Sequence, residues 1–120
     1  MGLDMYAYKT KQTIPQIGFD IPDDSASIAY WRKHPNLHGW MEALYQRKGG
    51  TELFNCTQVK LELIDLDELE KAVVANLLPH TTGFFFGESR SEDKADDLAF
   101  ILIAREALRS GYNVFYSSWW

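Results

Sequence analysis

Tyr30-Trp31-Arg32-Lys33-His34-Pro35-Asn36-Leu37-His38-Gly39-Trp40-Met41 decides how the chain is read, because it crosses from a strand into a helix. Before the crossing, Ser27 to Arg32 is rich in aromatic and β-branched side chains and reads as a strand. After it, Pro35 fits the first helical position, where a missing N–H costs nothing. Leu37, Trp40, Met41, Leu44 and Tyr45 then recur at i, i+3, i+4, i+7 and i+8, a one-sided apolar stripe. Gly49-Gly50 ends that helix by supplying left-handed backbone.

Working outward, Leu3 to Lys9 alternates apolar and polar residues and predicts a first strand. Thr10 to Asp24 carries two prolines and several acids and reads as a long surface loop with a short extended piece at Ile17 to Ile21. Beyond the first helix, Phe54 to Leu63 alternates as a third strand. Asp65-Leu66-Asp67-Glu68 has the pattern of a capping box, followed by Leu66, Leu69, Val73 and Leu77 on one helical face, with Pro79 closing the element.

Gly83-Phe84-Phe85-Phe86-Gly87 reads as a short aromatic strand. A last helix, starting at Ser89 to Glu92 or Ser91 to Lys94 and ending near Ser110, places Ala95, Leu98, Ile101, Leu102 and Leu108 on its apolar side. Phe100, Ile103 and Ala107 make it apolar on other sides too, which predicts a central helix or one covered by a second copy of the chain. Gly111 caps it, and Tyr112 to Trp120 forms a terminal strand. Short strands broken by modest helices predict an α+β fold: one domain over residues 1–120, with a small, mainly antiparallel sheet and about three helices packed on it.

At 120 residues, about 60–70% of the unfolded surface is buried on folding. Cys56 is the sole cysteine, so no disulfide closes within the chain, and a reducing cytoplasm is the expected location, in a bacterium or an infected host cell. The longest apolar run, Leu98 to Ala104, is far short of the ~20 residues that a membrane span needs. The net charge of −5, with scattered cations, argues against a genomic nucleic acid as partner.

The stretch 30–41 also carries the candidate chemistry. Arg32 and Lys33 lie at a strand-to-helix turn, where a helix N-terminus adds about half a positive charge and favours anions. His38 has the ordinary pKa of a general base or a ligand donor. His34 and His38 are four apart and share a face with Glu42, yet a third ligand is missing, so no metal and no cofactor is assigned. Ser117, Ser118 and Cys56 offer nucleophilic atoms outside any elbow or triad motif, and no catalytic residue is assigned. Trp119 and Trp120 must be docked if the chain's end is not to fray.

The segments Met-Gly-Leu-Asp-Met-Tyr (1–6), Tyr-Trp-Arg-Lys (30–33), Leu-His-Gly-Trp-Met (37–41), Phe-Asn-Cys (54–56), Leu-Pro-His-Thr (78–81), Gly-Phe-Phe-Phe-Gly (83–87) and Ser-Trp-Trp (118–120) stand in this order. In this the chain resembles a group of small phage and bacterial proteins, over almost its whole length. Some of that group carry the label phosphoglycerate kinase, which the absence of a glycine-rich phosphate cradle does not support. Many carry an acid where this chain has Ser117.

The expected function is binding of a small anionic, nucleotide-like molecule by Tyr30, Trp31, Arg32, Lys33, Asn36, His38, Ser117, Ser118 and Trp119, converging on one concave, partly wet surface. A homo-oligomer is expected, and the resemblance implies a phage accessory, anti-defence role in sequestering a host signalling nucleotide. The alternatives are a small hydrolase or phosphodiesterase-like enzyme with His38 as base, and a protein-interaction inhibitor of a host protein.

Overall fold

Alternation along the strands separates an inner, apolar side of the sheet from an outer, polar and aromatic one. The computed structural model describes residues 2–83 and 86–120. Four strands, β1 (Asp4–Thr10), β2 (Ala26–Arg32), β3 (Val59–Leu61) and β4 (Asn113–Trp119), pair antiparallel in the order β2-β1-β4-β3. The register sets Met5 between Trp31 and Ser118, and Ala7 between Ala29 and Tyr116. Leu3, Met5, Ala7, Trp31, Val59, Leu61, Val114 and Tyr116 are buried together on the inner side.

Three helices cover that side: α1 (Pro35–Arg47), α2 (Leu63–Val74) and α3 (Asp93–Arg109). Every residue of the expected α1 stripe is buried. Each such large apolar side chain contributes roughly 1.5–3 kcal/mol when fully withdrawn from water. Gly39 lets the 79–81 segment lie directly on α1, since a Cβ there would collide with the Thr81 side chain. Thr81 N–H donates to Asn36 Oδ1 at 3.0 Å and fixes that approach. Just past α1, Lys48 Nζ reaches Asp65 Oδ2, Gln16 Oε1 and the Lys60 carbonyl, tying α1 to the start of α2. The architecture is α+β, as the pattern predicts, and among the described residues no helix is long and apolar enough to cross a membrane.

Local boundaries differ where tertiary contacts outweigh pattern. The third strand shrinks to Val59–Leu61, because Cys56 adopts φ +56° and breaks the extended run. The capping box is three residues earlier than expected: Glu62 is the N-cap and Asp65 the N3 residue, with Glu62 N–H donating to Asp65 Oδ2 at 2.9 Å. Helix α2 stops at Val74, with Asn76 left-handed, so Leu77 lies outside the helix and exposed. On α3 the buried face is Asp93, Asp97, Phe100, Ile101, Ala104 and Ala107, while Leu102 points outward. The expected strand at 83–87 lies partly outside the described residues: Phe84 and Phe85 are not described, and Gly83, Phe86 and Gly87 are not in a strand.

Candidate functional site

The side chains of 30–41 are divided between the two sides of the sheet. Consecutive strand residues face opposite ways, so Trp31 turns inward, 5% exposed, and Tyr30 outward, 54% exposed. Lys33 then takes a left-handed φ of +58° while its N–H donates to the Leu3 carbonyl. That reversal drives His34 into the inner layer, where it is buried.

There His34 meets α3. Its Nε2 lies 2.8 Å from Asp97 Oδ2 and its Nδ1 2.7 Å from Ser89 Oγ. Trp31 Nε1–H donates to Asp97 Oδ1 at 3.1 Å, and Asn36 N–H donates to Ser89 Oγ at 3.0 Å. Asp93 Oδ2 stands 3.6 Å from Nδ1 and also accepts from Arg90 N–H at 2.7 Å. Burial pushes the Asp97 carboxyl up, against the hydrogen bond and charge of His34 that pull it down. In the arrangement that satisfies every donor with a neutral imidazole, Ser89 O–H donates to Nδ1 and Nε2–H donates to Asp97. The cluster opens on a cavity of about 240 Å³ lined also by Val73, Asn76, Leu78 and Lys94.

His38, 1% exposed, takes a different place. It packs against Phe54 and Phe86, and its Nδ1 is 2.7 Å from Tyr116 Oη. Burial lowers its pKa to about 4 and raises that of Tyr116, so both partners are neutral near pH 7. His34 and His38 each spend a ring nitrogen on a different partner, and among the described residues no cluster of His, Cys, Asp or Glu has a metal-binding arrangement.

Among the described residues, no helix covers the outer side. Tyr8, Tyr6 and Tyr30 form a row across β1 and β2, with ring centroids 5.9 and 5.2 Å apart. Tyr30 Oη and Arg32 Nη1 both donate to Asp4 Oδ1, at 2.7 and 3.1 Å. The 11–25 loop covers one end: Phe19 stands edge-on to Phe115, and its carbonyl accepts from Gln58 Nε2. Between the loop and the chain's end lies a groove of about 470 Å³ lined by Tyr6, Tyr8, Asp20, Ile21, Cys56, Gln58, and residues 117–119. Ser117 Oγ donates to Gln58 Oε1 at 2.8 Å, and Trp119 is 67% exposed. Trp120 is anchored instead: its indole N–H donates to the Phe54 carbonyl, and its backbone N–H to Asn55 Oδ1.

The nine expected site residues therefore do not converge. Tyr30, Arg32, Ser117 and Trp119 share the outer side, with Ser118 also reaching the groove wall. Trp31 and His38 are buried on the inner side, because strand parity and the α1 stripe put them there. Asn36 faces the Ser89 and Thr81 segments, and the exposed Lys33 lies along Gly87. The imidazole and the guanidinium that were expected side by side have the sheet between them. Sequence reasoning gave no place to Tyr6, Tyr8 or Gln58 in the groove, although the odd-even alternation of β1 puts both tyrosines on one face. It also did not join Ser89 and Asp97 to His34, since no sequence signal links positions 34, 89 and 97. Comparison of the chain with protein-family models, with curated proteins and with solved structures finds no match to any of them.

Proposed function

We propose that the protein binds a small anionic, nucleotide-like molecule on the outer side of its sheet. The observation that carries this reading is the row of Tyr8, Tyr6 and Tyr30, continuous with the groove that Trp119 borders. Flat rings stacked on aromatic side chains gain about 1–3 kcal/mol per base, with little demand on sequence or substituent. On the floor, the Ser117 oxygen keeps acceptor capacity and Gln58 Nε2 one further N–H for the ring edge, their other donors being spent on Gln58 Oε1 and the Phe19 carbonyl, while Arg32 serves the anionic part. Only one of its five N–H donors is committed to Asp4, and the guanidinium is half exposed.

The resemblance to phage and bacterial proteins supports the wider role: sequestering a host signalling nucleotide in a bacterial cytoplasm. Self-association belongs to the same reading, supported by Leu102 and Ile103, which project from α3 at the edge of a second groove. Sedimentation velocity at two concentrations distinguishes a monomer from a dimer.

Tryptophan fluorescence titrated with nucleoside monophosphates, triphosphates and cyclic dinucleotides tests the binding. At least one probe is expected to saturate the signal, and Trp119→Ala together with Tyr6→Ala is expected to weaken it about tenfold, equivalent to about 1.4 kcal/mol. Recovering the probe after denaturation then separates holding from turnover, since an intact ligand in stoichiometric amount means binding. No saturation by any probe at millimolar concentration, or equal binding by the double variant, overturns the reading.

A further inference from the structure

We infer that Ser89, His34 and Asp97 form a nucleophilic site for small esters, on the helix-covered side of the sheet and separate from the aromatic groove. The inference does not rest on the nucleotide reading: its residues, cavity and readout are all different. Three features carry it.

The first is direction. Ser89 Oγ, His34 Nδ1, His34 Nε2 and Asp97 Oδ2 follow one another at 2.7 and 2.8 Å. This is the order nucleophile, base, orienting carboxylate that nucleophilic catalysis requires, with the two ring nitrogens in exchanged positions relative to the commoner arrangement. The second is restraint. Asp97 is buried and fixed by the Trp31 indole N–H, so the imidazole it holds cannot swing away. Asn36 N–H, at the first turn of α1, fixes Ser89 Oγ from the other side.

The third is access. His34 and Asp97 are buried, but Ser89 is only half-buried and lies on the wall of the 240 Å³ cavity. Lys94 stands on that wall with its ammonium on the Val74 carbonyl and Asn76 Oδ1, and no carboxylate pairs with it among the described residues. Held on two neutral oxygens, its charge is not neutralised by a carboxylate and favours, from the wall of the same cavity, an acyl oxygen that turns negative. Val73 and Leu78 leave room for a short acyl chain.

In the reaction, Ser89 Oγ bonds to the acyl carbon while its proton passes to His34 Nδ1. The ester C–O bond breaks, and the departing alcohol takes that proton. Water then gives one proton to Nδ1 and its oxygen to the acyl carbon, the Ser89 Oγ–acyl bond breaks, and Oγ takes the proton back from Nδ1. The sum is ester plus water giving carboxylic acid plus alcohol.

The test uses the full chain with p-nitrophenyl acetate and, separately, a small alkyl fluorophosphonate read by intact mass and peptide mapping. The expected result is a burst of p-nitrophenolate approaching one equivalent and a single phosphonyl adduct on Ser89. Ser89→Ala is expected to lose both, with the rate falling about 100-fold or more, while Ser27→Ala on exposed β2 keeps both. If Ser89→Ala does not fold, Ser89→Cys replaces it: iodoacetamide at pH 6 is expected to alkylate position 89 at least about tenfold faster than Cys56, because His34 stabilises a thiolate. A folded wild type with no burst and no adduct, an adduct on another residue, or a position 89 no more reactive than Cys56 overturns the inference.

Discussion

The two sides of the one sheet use the same residue types in opposite ways. On the inner side, aromatic and polar groups are buried and each polar atom of the cluster is matched: Trp31 to Asp97, Asp97 to His34, His34 to Ser89. On the outer side, Tyr30 and Trp119 are exposed, Tyr6 and Tyr8 are half-buried, and Arg32 and Asp4 pair at the surface. A buried polar group left unmatched costs about 1–3 kcal/mol, whereas an exposed one simply returns to water. The inner network therefore constrains the fold, and the outer row is free to serve a ligand.

The sharpest test of that contrast uses two neighbouring residues. Trp31→Ala is expected to cost about 3–5 kcal/mol in urea unfolding, since it leaves a cavity against Phe100 and an unpaired Asp97 oxygen. Tyr30→Ala, one residue away, is expected to stay within about 1 kcal/mol. A Tyr30→Ala cost equal to that of Trp31→Ala would mean that the outer row is structural.

Acid provides the next test. The His38 pKa falls from 6.5 unfolded to about 4 folded, so between these values the unfolded chain binds the extra proton. Stability from this residue is complete above the unfolded value and drains away as pH falls toward 4. From pH 7 to 4.5 the wild type is expected to lose about 2 kcal/mol more than His38→Gln, which does not titrate there. Asp97, raised by burial, works with the opposite sign in both proteins and cancels in the difference. Parallel pH profiles for the two proteins would contradict the burial of His38.

The smallest effect is expected outside. Arg32→Ala breaks a half-exposed pair with Asp4 and is expected to change the urea midpoint by less than about 1 kcal/mol equivalent, while weakening any anionic ligand. A large loss of stability would move Arg32 from ligand recognition to the frame of the sheet.

Much of this contrast is present in the pattern of the chain. The α1 stripe from Leu37 to Tyr45 and the alternation of Leu3, Met5 and Ala7 each specify which side chains are buried, because helical and strand periodicity are local properties of the backbone. The same rule separates Tyr30 and Arg32 from Trp31, so part of the expected convergence conflicted with the strand assignment itself. The α2 boundary was less legible: Glu62 and Asp65 are both acids able to cap, and the contact of Lys48 with Asp65 is made across the fold. The terminal Trp pair shows the same limit, as one indole is anchored by Phe54 and Asn55 and the other is left exposed.

By itself the sequence determined the α+β class, the main helices and strands and the inward faces of β1 and α1, since these follow from periodicity, caps and turn residues within a few positions, whereas α3 turns a different face inward from the one its pattern predicts. Only the tertiary structure decided which polar groups meet. His34 meets Ser89 and Asp97 from 55 and 63 positions away in the chain, and Tyr6 and Trp119 come from its two ends. Hydrogen bonds act over about 3 Å in space, whatever the separation along the chain, so no spacing rule reveals them before the elements pack.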